Sequence, residues 1–373
     1  MARSREHPEV MEQFSGPSRV AELGEGVGLD ELQLAARNHG TPAEALRHEI
    51  TPVGLHYVLV HYDVPFVEPH EWRLQINGAV RHPMALDLAE LRSRSRATEV
   101  VTLECAGNGR ARLEPRPVSQ PWWNDAVSTA VWTGTPLAPL LRQAEPETGA
   151  VDVVFTGHDH GVERGVEQDY QRALSLADAM GENVLLAYEM NAEPLPPQHG
   201  FPLRLIVPGW YGMAQVKWLR SITVTSQPFT GFQNAVAYRL KQHPDEAGEP
   251  VARIRPRALM IPPGFPDFMS RRRVVSAGEH VLEGRAWSGA PPVTSVQVSV
   301  DGGLSWRDAD LEPAQSRWAW RRWTCPWSAT KPGRCELLVR ATDHSGEIQP
   351  VEQVWNVQGM ANNAAQRITV IVR

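Results

Sequence analysis

The last third of the sequence is divided into short β-prone runs by regularly spaced turns, and this pattern limits the fold more than any other feature. Runs at His280–Trp287, Val293–Val300 and Cys335–Ala341 are separated by turns such as Asp301-Gly302-Gly303 and Asp343-His344-Ser345-Gly346. Short strands with regular turns are typical of β-sandwiches. Seven of the 13 tryptophans also lie here, as in a β core. The pattern predicts a sandwich of about a hundred residues.

The rest of the chain has a mixed pattern. The β-rich run Val100–Glu104 alternates with short helical patterns such as Leu86–Leu91, and the proline-rich segment Ile261–Pro266 forms a stiff linker. A length of 373 residues suits two domains. We therefore expect an N-terminal lead-in over residues 1–49, a mixed α+β domain over 50–250 and a β-sandwich over 260–373.

Composition excludes several classes of protein. The net charge of -6 provides no basic surface for nucleic acid, and the short run Arg271-Arg272-Arg273 is interpreted as a solvated linker. No apolar stretch approaches the ~20 residues of a membrane span. The polar start, Met1–Arg19, lacks the apolar core of a secretory signal, so we expect a cytoplasmic location, although a signal removed earlier would leave the same sequence.

The loop Cys105-Ala106-Gly107-Asn108-Gly109-Arg110, directly after the run Val100–Glu104, is the strongest candidate for chemistry. Its glycines leave backbone N–H groups free to face an anion or a thiolate, and Arg110 favours the charged sulfur. A thiolate suits a soft transition metal. One cysteine cannot hold such a metal alone, so the other ligands would come from an organic cofactor. Its anionic tail would need cations such as His199, Arg204 and Lys217.

The other two cysteines, Cys325 and Cys335, match no zinc pattern. They could face each other across a hairpin at Lys331-Pro332-Gly333, but two free thiols are favoured in a chain with no export signal.

Several motifs in one order resemble the sulfite oxidase family of molybdopterin enzymes. Leu103–Arg110 is similar to that family's molybdenum-binding loop. The second signature is matched by segments that begin at Ala187, Pro194, His199, Pro208 and Val216. The resemblance extends from about Tyr57 to the C-terminus, where Trp355–Gly359 is similar to the end of the family's dimerisation domain.

The resemblance implies a function for individual residues. Cys105 would be the molybdenum ligand, Tyr238 an active-site tyrosine and Arg367 a substrate-pocket arginine from the second domain. Trp122 is similar to a pocket-lining tryptophan. The residues implied to contact the molybdopterin cofactor are His61, Arg110, Asp159, His199, Arg204 and Lys217. For Tyr238, packing in a loop is the alternative interpretation.

One residue departs from the family pattern at the pocket. Sulfite-oxidising members carry an arginine two residues before the histidine matched by His61, and this chain has Leu59 there. Leucine offers no charge-assisted hydrogen bond to an oxyanion. We therefore expect poor handling of sulfite.

The implied fold is an α+β, sulfite-oxidase-like catalytic domain followed by an immunoglobulin-like dimerisation domain. The implied function is two-electron oxygen-atom transfer on a small sulfur oxyanion or related substrate. The alternatives are an S-oxide or N-oxide reductase with the same molybdopterin cofactor, and a non-catalytic pterin-cofactor carrier. We expect a homodimer and, without an appended haem or flavin domain, a separate electron carrier.

Overall fold

The computed structural model describes residues 19–289 and 291–373. Residues 1–18 of the expected lead-in lie outside this range. The described residues contain four α-helices: Leu29–Arg37 (α1), Leu88–Arg92 (α2), Leu137–Ala144 (α3) and Leu176–Ala179 (α4). The described residues also contain short helical turns at Ala43–Arg47, Val53–Leu55, Arg110–Arg112, Pro197–His199, Gly212–Ala214 and Gln233–Ala237.

Strands account for most of the regular structure. In chain order they are Leu74–Gly78 (β1), Met84–Leu86 (β2), Ala97–Glu104 (β3), Val127–Pro136 (β4), Asp152–Glu163 (β5), Val166–Ser175 (β6), Leu185–Met190 (β7), Glu193–Pro194 (β8), Arg204–Ile206 (β9), Leu219–Thr225 (β10), Arg239–Leu240 (β11), Glu249–Pro250 (β12), Arg257–Met260 (β13), Phe265–Pro266 (β14), Arg273–Val275 (β15), Gly278–Trp287 (β16), Val293–Ser299 (β17), Arg307–Asp308 (β18), Asp310–Leu311 (β19), Arg321–Ala329 (β20), Gly333–Asp343 (β21) and Gln366–Val372 (β22). The helices are few and short, so the expected α component is small.

Two sheets build the first part of the chain. One has the order β2-β1-β10-β5-β6, and the other has the order β3-β4-β7-β8, with β9 paired to β7. α3 packs beside them because Leu137, Leu140, Leu141 and Ala144 are fully buried at helical spacing. This packing places the end of β3, and therefore the Cys105 loop, inside the molecule.

Two further sheets enclose a second core. Their orders are β13-β16-β20-β19 and β14-β15-β22-β21-β17-β18. In β20 the buried side chains alternate at Trp323, Cys325, Trp327 and Ala329, which is the period of a strand with one buried face. Residues of both sheets contribute to this core. The two-sheet arrangement follows the sandwich predicted from the regular turns. All three cysteines are free thiols.

Residues 19–49 pack against the rest of the chain. The N–H of Ala21 donates to the carbonyl of Arg116, and Leu46 is buried in the main core. The indole of Trp320 donates to the carbonyl of Glu49 (2.8 Å). The described part of the expected lead-in is therefore a structured segment.

The two parts of the chain share buried residues. Ile261, Trp287 and Trp320 from the second part lie in the main core of the first. The N–H of Thr102 in β3 donates to the carbonyl of Trp318. Within residues 19–289 and 291–373, none of the helices has the length and apolar character needed to cross a bilayer.

Candidate functional site

The Cys105 loop is a compact turn at the buried end of β3. The N–H of Cys105 donates to the carbonyl of Ala126 (2.9 Å), and that of Asn108 donates to the carbonyl of Cys105 (3.0 Å). A Cβ atom on Gly107 would lie 2.7 Å from the guanidinium of Arg110, so a side chain there would displace this guanidinium. The thiol is 8% exposed, and burial raises its pKa. A metal or another positive charge is needed to hold it as a thiolate.

Glu104, directly before Cys105, is the centre of a buried network that links the loop to the second part of the chain. Its carboxylate accepts hydrogen bonds from Arg257 Nη1 (2.7 Å), Trp287 Nε1 (2.8 Å) and Asn108 Nδ2 (3.0 Å). Arg257 also donates to Asn124 (2.7 Å). The sequence analysis missed this network because nothing in the local pattern brings residues 104, 257 and 287 together.

Most of the predicted site residues meet in one cavity beside the Cys105 thiol. Those that line it are His61, Cys105, Asp159, His199, Arg204, Lys217 and Tyr238. They come from separate strands and turns of the first part of the chain. The structure therefore brings together residues that were assigned only by their resemblance to family motifs.

Three basic side chains form one wall of this cavity. His199 ends the turn Pro197–His199, and its carbonyl accepts from Arg204 Nη1 (3.2 Å). Lys217 Nζ donates to the carbonyls of Leu59 (2.8 Å) and Gln198 (3.1 Å). Gly200 has φ 110°, and a Cβ there would press on Lys217 at 3.0 Å. This glycine therefore lets the histidine turn and the lysine lie together.

Burial and crowding lower the pKa values of these bases. Burial lowers the pKa of Lys217 to about 7 and that of Arg204 to about 10, and Arg204 adds to the shift at Lys217. Burial, followed by the charges of His56, Arg204 and Lys217, lowers the pKa of His199 to about 2. The pKa of Asp159 is raised by burial to about 6. An anion bound among these side chains would raise the pKa values of the three bases again, because it stabilises their protonated forms.

Several buried polar atoms in the same cavity lack a hydrogen-bond partner among the described residues. They are His56 Nε2, Asp159 Oδ1, His199 Nε2 and Arg204 Nε. Buried polar groups are normally satisfied, so unpartnered atoms grouped around one cavity indicate a polar ligand. Together with the cations, they suit a large anionic molecule.

Tyr238 and His61 form a pair that lines both this cavity and a second one beside Cys105. Their hydroxyl and Nε2 atoms lie 2.9 Å apart. Tyr238 follows the turn Gln233–Ala237, which Arg172 anchors by donating to the carbonyl of Gln233 (2.7 Å). Burial raises the pKa of Tyr238 and lowers that of His61, so the hydroxyl stays protonated and the imidazole stays neutral.

A second, larger cavity of about 490 Å³ lies against the other face of the Cys105 loop. Arg110, Trp122 and Arg164 are among its lining residues, and the two cavities share Leu59, His61, Cys105 and Tyr238. Arg110 is buried and donates from Nε to the carbonyl of Gln358 (2.8 Å). Arg110 and Trp122, both assigned by the resemblance, thus line the same cavity as Cys105.

Arg367 is the exception, and its expected place in the pocket is wrong for this chain. It alternates with buried neighbours along β22, so it points away from the core of its sheet. Its guanidinium pairs with Glu352 and Glu336 and lines a separate cleft with Arg334. Arg164 belongs to no recognised motif, and Gln358 was matched only as part of the segment Trp355–Gly359, so neither was expected at the site from the sequence.

Comparisons with known proteins agree with this geometry. Residues 61–233 match the model for an oxidoreductase molybdopterin binding domain, and residues 267–373 match that for a Mo-co oxidoreductase dimerisation domain. Sulfite oxidase of Gallus gallus is 37% identical, with 88% of this chain and 75% of that protein covered. An NADH nitrate reductase of Brassica napus is 31% identical, with 89% and 40% covered.

A solved structure supports the fold independently. The sulfane dehydrogenase SoxCD of Paracoccus pantotrophus superposes with a TM-score of 0.77, covering 99% of both chains at 23% identity. At that identity the similarity supports the fold alone.

Proposed function

Because the chain belongs to the sulfite oxidase family of molybdopterin-dependent oxidoreductases, we propose that it catalyses two-electron oxygen-atom transfer on a small sulfur oxyanion. The observation that carries this proposal is the grouping of one thiol, three bases and the Tyr238–His61 pair around two cavities that share lining residues. The relatives act as sulfite oxidase and nitrate reductase, so the substrate of this chain is part of the proposal.

The residues around Cys105 fit a molybdenum-molybdopterin cofactor. Cys105 is the proposed metal ligand, and a buried thiolate is a donor that a soft metal centre prefers. The unpartnered atoms of Asp159, His199 and Arg204 offer hydrogen bonds to a pterin and its phosphate. Lys217 adds charge, and we propose cofactor contacts for His61 and Arg110 as well. When bound, the cofactor supplies the two-electron redox chemistry.

The chain's own residues would orient the substrate and hold protons. Tyr238 keeps its hydroxyl proton, because burial raises its pKa, and can donate one hydrogen bond toward the reacting oxygen. A hydrogen bond between His61 Nε2 and the Tyr238 hydroxyl (2.9 Å) holds this hydroxyl in position. Arg110 supplies a buried positive charge next to Cys105. A fixed, dehydrated charge of this kind stabilises a developing negative charge without reorganising.

Reduction of an S-oxide or N-oxide is the second candidate function. Leu59 lines both cavities, where a cation would be expected for a dedicated oxyanion site. A neutral oxide needs no anion clamp, so this residue favours the reverse transfer. The buried Arg110 favours an anion and makes this the weaker candidate.

We further propose that the two-sheet part is an immunoglobulin-like domain that pairs two copies of the chain. The match of residues 267–373 to a dimerisation domain supports this proposal. Electrons would pass to a separate carrier. The proposed limits of the catalytic domain are residues 50–250, and those of the dimerisation domain are 260–373.

The function can be tested in a host that synthesises molybdopterin. We expect about one molybdenum atom per chain and turnover of a sulfur oxyanion with a dye as electron acceptor. Metal analysis and a dye-linked screen over sulfite, nitrate and small S-oxides would measure both. Purified protein that binds zinc and no pterin would contradict the proposal.

A further inference from the structure

Arg164 places a second guanidinium beside Arg110 at the larger cavity. It lies in the short connection between β5 and β6, with φ 54°, a left-handed conformation that costs energy for a residue with a side chain. Its Nη2 donates to Gln358 Oε1 (3.2 Å), and the carbonyl of the same Gln358 accepts from Arg110 (2.8 Å). Gln358 therefore joins the two cations through neutral oxygens.

The positive charge of this pair is not balanced by a bound carboxylate. Within the described part of the chain, neither Arg110 nor Arg164 forms an ion pair within 4 Å. The nearby Glu163 also lines the cavity, and its carboxylate accepts from Gln233 Nε2 (2.9 Å). Arg19, Asp30 and Glu31 also line this cavity, where Arg19 is paired with Glu25 and Glu31 with Arg116. Among the described lining residues, Arg110 and Arg164 are therefore the guanidinium groups without a carboxylate partner. Two such guanidinium groups at the cavity beside Cys105 suit an anionic ligand.

Asn38, Ser119 and Gln120 give the cavity further polar lining, and one part of its wall is apolar. Leu59, Trp122, Val162 and Met360 line it. Its volume of about 490 Å³ lies in the range of sites for organic molecules, and a four-atom inorganic oxyanion would leave most of it filled with water. An apolar substituent on the ligand would displace that water and gain hydrophobic contact. Leu59 would then contact the apolar substituent, whereas a cation at this position would interrupt the apolar part of the wall.

We propose that Arg110 and Arg164 bind the oxyanion end of an organic sulfur acid, and that Leu59 and its apolar neighbours bind the organic substituent. This inference rests on the proposed oxygen-atom transfer, and it names the substrate class as organic sulfinates. In the reaction, R–SO₂⁻ and water give R–SO₃⁻, two protons and two electrons. One S–O bond forms, both O–H bonds of water break, and a one-electron acceptor such as ferricyanide removes the electrons in two steps.

The first experiment measures binding without turnover. Titration calorimetry on the resting enzyme would compare sulfate with alkane sulfonates of increasing chain length. Arg164→Gln is expected to weaken the binding of every one of these anions about ten- to a hundredfold, which is the range for a hydrogen bond to a charged group. Arg164→Lys is expected to weaken binding less, because it keeps the positive charge. Each buried methylene group is expected to tighten sulfonate binding by about three- to fourfold. Arg142→Gln, an exposed change on α3, is the matched control.

The second experiment measures selectivity. The natural protein is expected to oxidise benzenesulfinate with a kcat/KM at least about tenfold above that for sulfite, since the ring adds several buried carbons. Leu59→Arg is expected to lower the KM for sulfite by about ten- to a hundredfold and to remove the preference for the aromatic substrate. The comparison uses folded variants with equal molybdenum content.

The outcomes separate this inference from the proposed function. Equal anion affinity in the natural protein and Arg164→Gln would overturn the role of Arg164, even if the enzyme turns over normally. A kcat/KM for sulfite that equals or exceeds that for benzenesulfinate would overturn the organic substrate class. Arg164-dependent sulfonate binding in a protein that oxidises neither compound would support the binding site and contradict the oxygen-atom transfer.

Discussion

His199, Arg204 and Lys217 are crowded beside Cys105, and each has a pKa below its ordinary value. Burial is the main cause at all three residues. Such an arrangement lowers the stability of the cofactor-free protein and is balanced when an anion binds. These three residues therefore favour the binding of an anion at the expense of the stability of the cofactor-free protein.

Replacing Cys105 tests the metal ligand. Cys105→Ser is expected to abolish turnover because a serine hydroxyl is a poorer donor to a soft metal centre. Dye-linked activity and molybdenum content would be measured together. Cys335→Ser, at a half-buried thiol on β21, is the control and should retain both. Full activity in Cys105→Ser would rule out this ligand assignment.

His199 makes a prediction about pH. Its folded pKa lies below the unfolded value of 6.5, so the unfolded chain takes up a proton first as the pH falls. The contribution of neutral His199 to the free energy of unfolding is fully present above pH 6.5. Below that pH it decreases by up to about 1.4 kcal/mol for each pH unit. Urea unfolding of the cofactor-free protein from pH 7 to pH 4 should show a shallower loss in His199→Gln.

His280, a half-buried residue on β16 away from the Cys105 cavities, gives the control for this experiment, and His280→Gln should unfold with the same pH dependence as the natural protein. His56 is also buried, and burial lowers its pKa to about 3, so some loss of stability at low pH remains in the variant. Identical slopes in the natural protein and His199→Gln would show that His199 is not buried in its neutral form.

At the scale of elements, the end of β3 and the start of β13 are joined by the buried Glu104–Arg257 pair. Arg257→Met removes one partner and leaves a buried carboxylate, which typically costs about 3–5 kcal/mol. Chemical unfolding should show a loss of this size. Arg322→Met removes a partly exposed arginine paired with Glu283 and Glu312 and should cost no more than about 1 kcal/mol. Equal losses would mean that the buried network does not stabilise the fold.

The strand pattern of the second part followed directly from the sequence because alternation and turn residues are local signals. β20 illustrates this, since its buried tryptophans and Cys325 alternate with outward residues. The described lead-in was harder to predict. Its helix α1 has a weak apolar pattern, and its packing depends on partners such as Arg116 more than 80 residues away.

For the whole molecule, we expect a homodimer of two 41.5 kDa chains. Phe268 and Met269 are 81% and 83% exposed beside the edge strand β14, within the segment that matches a dimerisation domain. The two neighbouring side chains form a small apolar patch beside an unpaired strand edge, which is a surface suited to a contact between chains. Light scattering at micromolar concentration should give the dimer mass, and Phe268→Asp should shift it toward the monomer.

Leu304→Asp serves as the control for the dimer prediction, because Leu304 is equally exposed but lies in the connection between β17 and β18. It should leave the dimer intact. A natural protein that is monomeric under these conditions would exclude this assembly.

The sequence by itself determined the family, the cofactor and the position of Cys105, because these depend on motifs whose residues are close neighbours along the chain. It also indicated the two-sheet architecture through period-two alternation. Only the tertiary structure decided that Arg367 pairs with Glu352 on a sheet surface, while Arg164 and Gln358 join Arg110 beside the thiol. These contacts connect residues up to 248 positions apart. No local pattern encodes such contacts, since they arise when separately folded strands pack together.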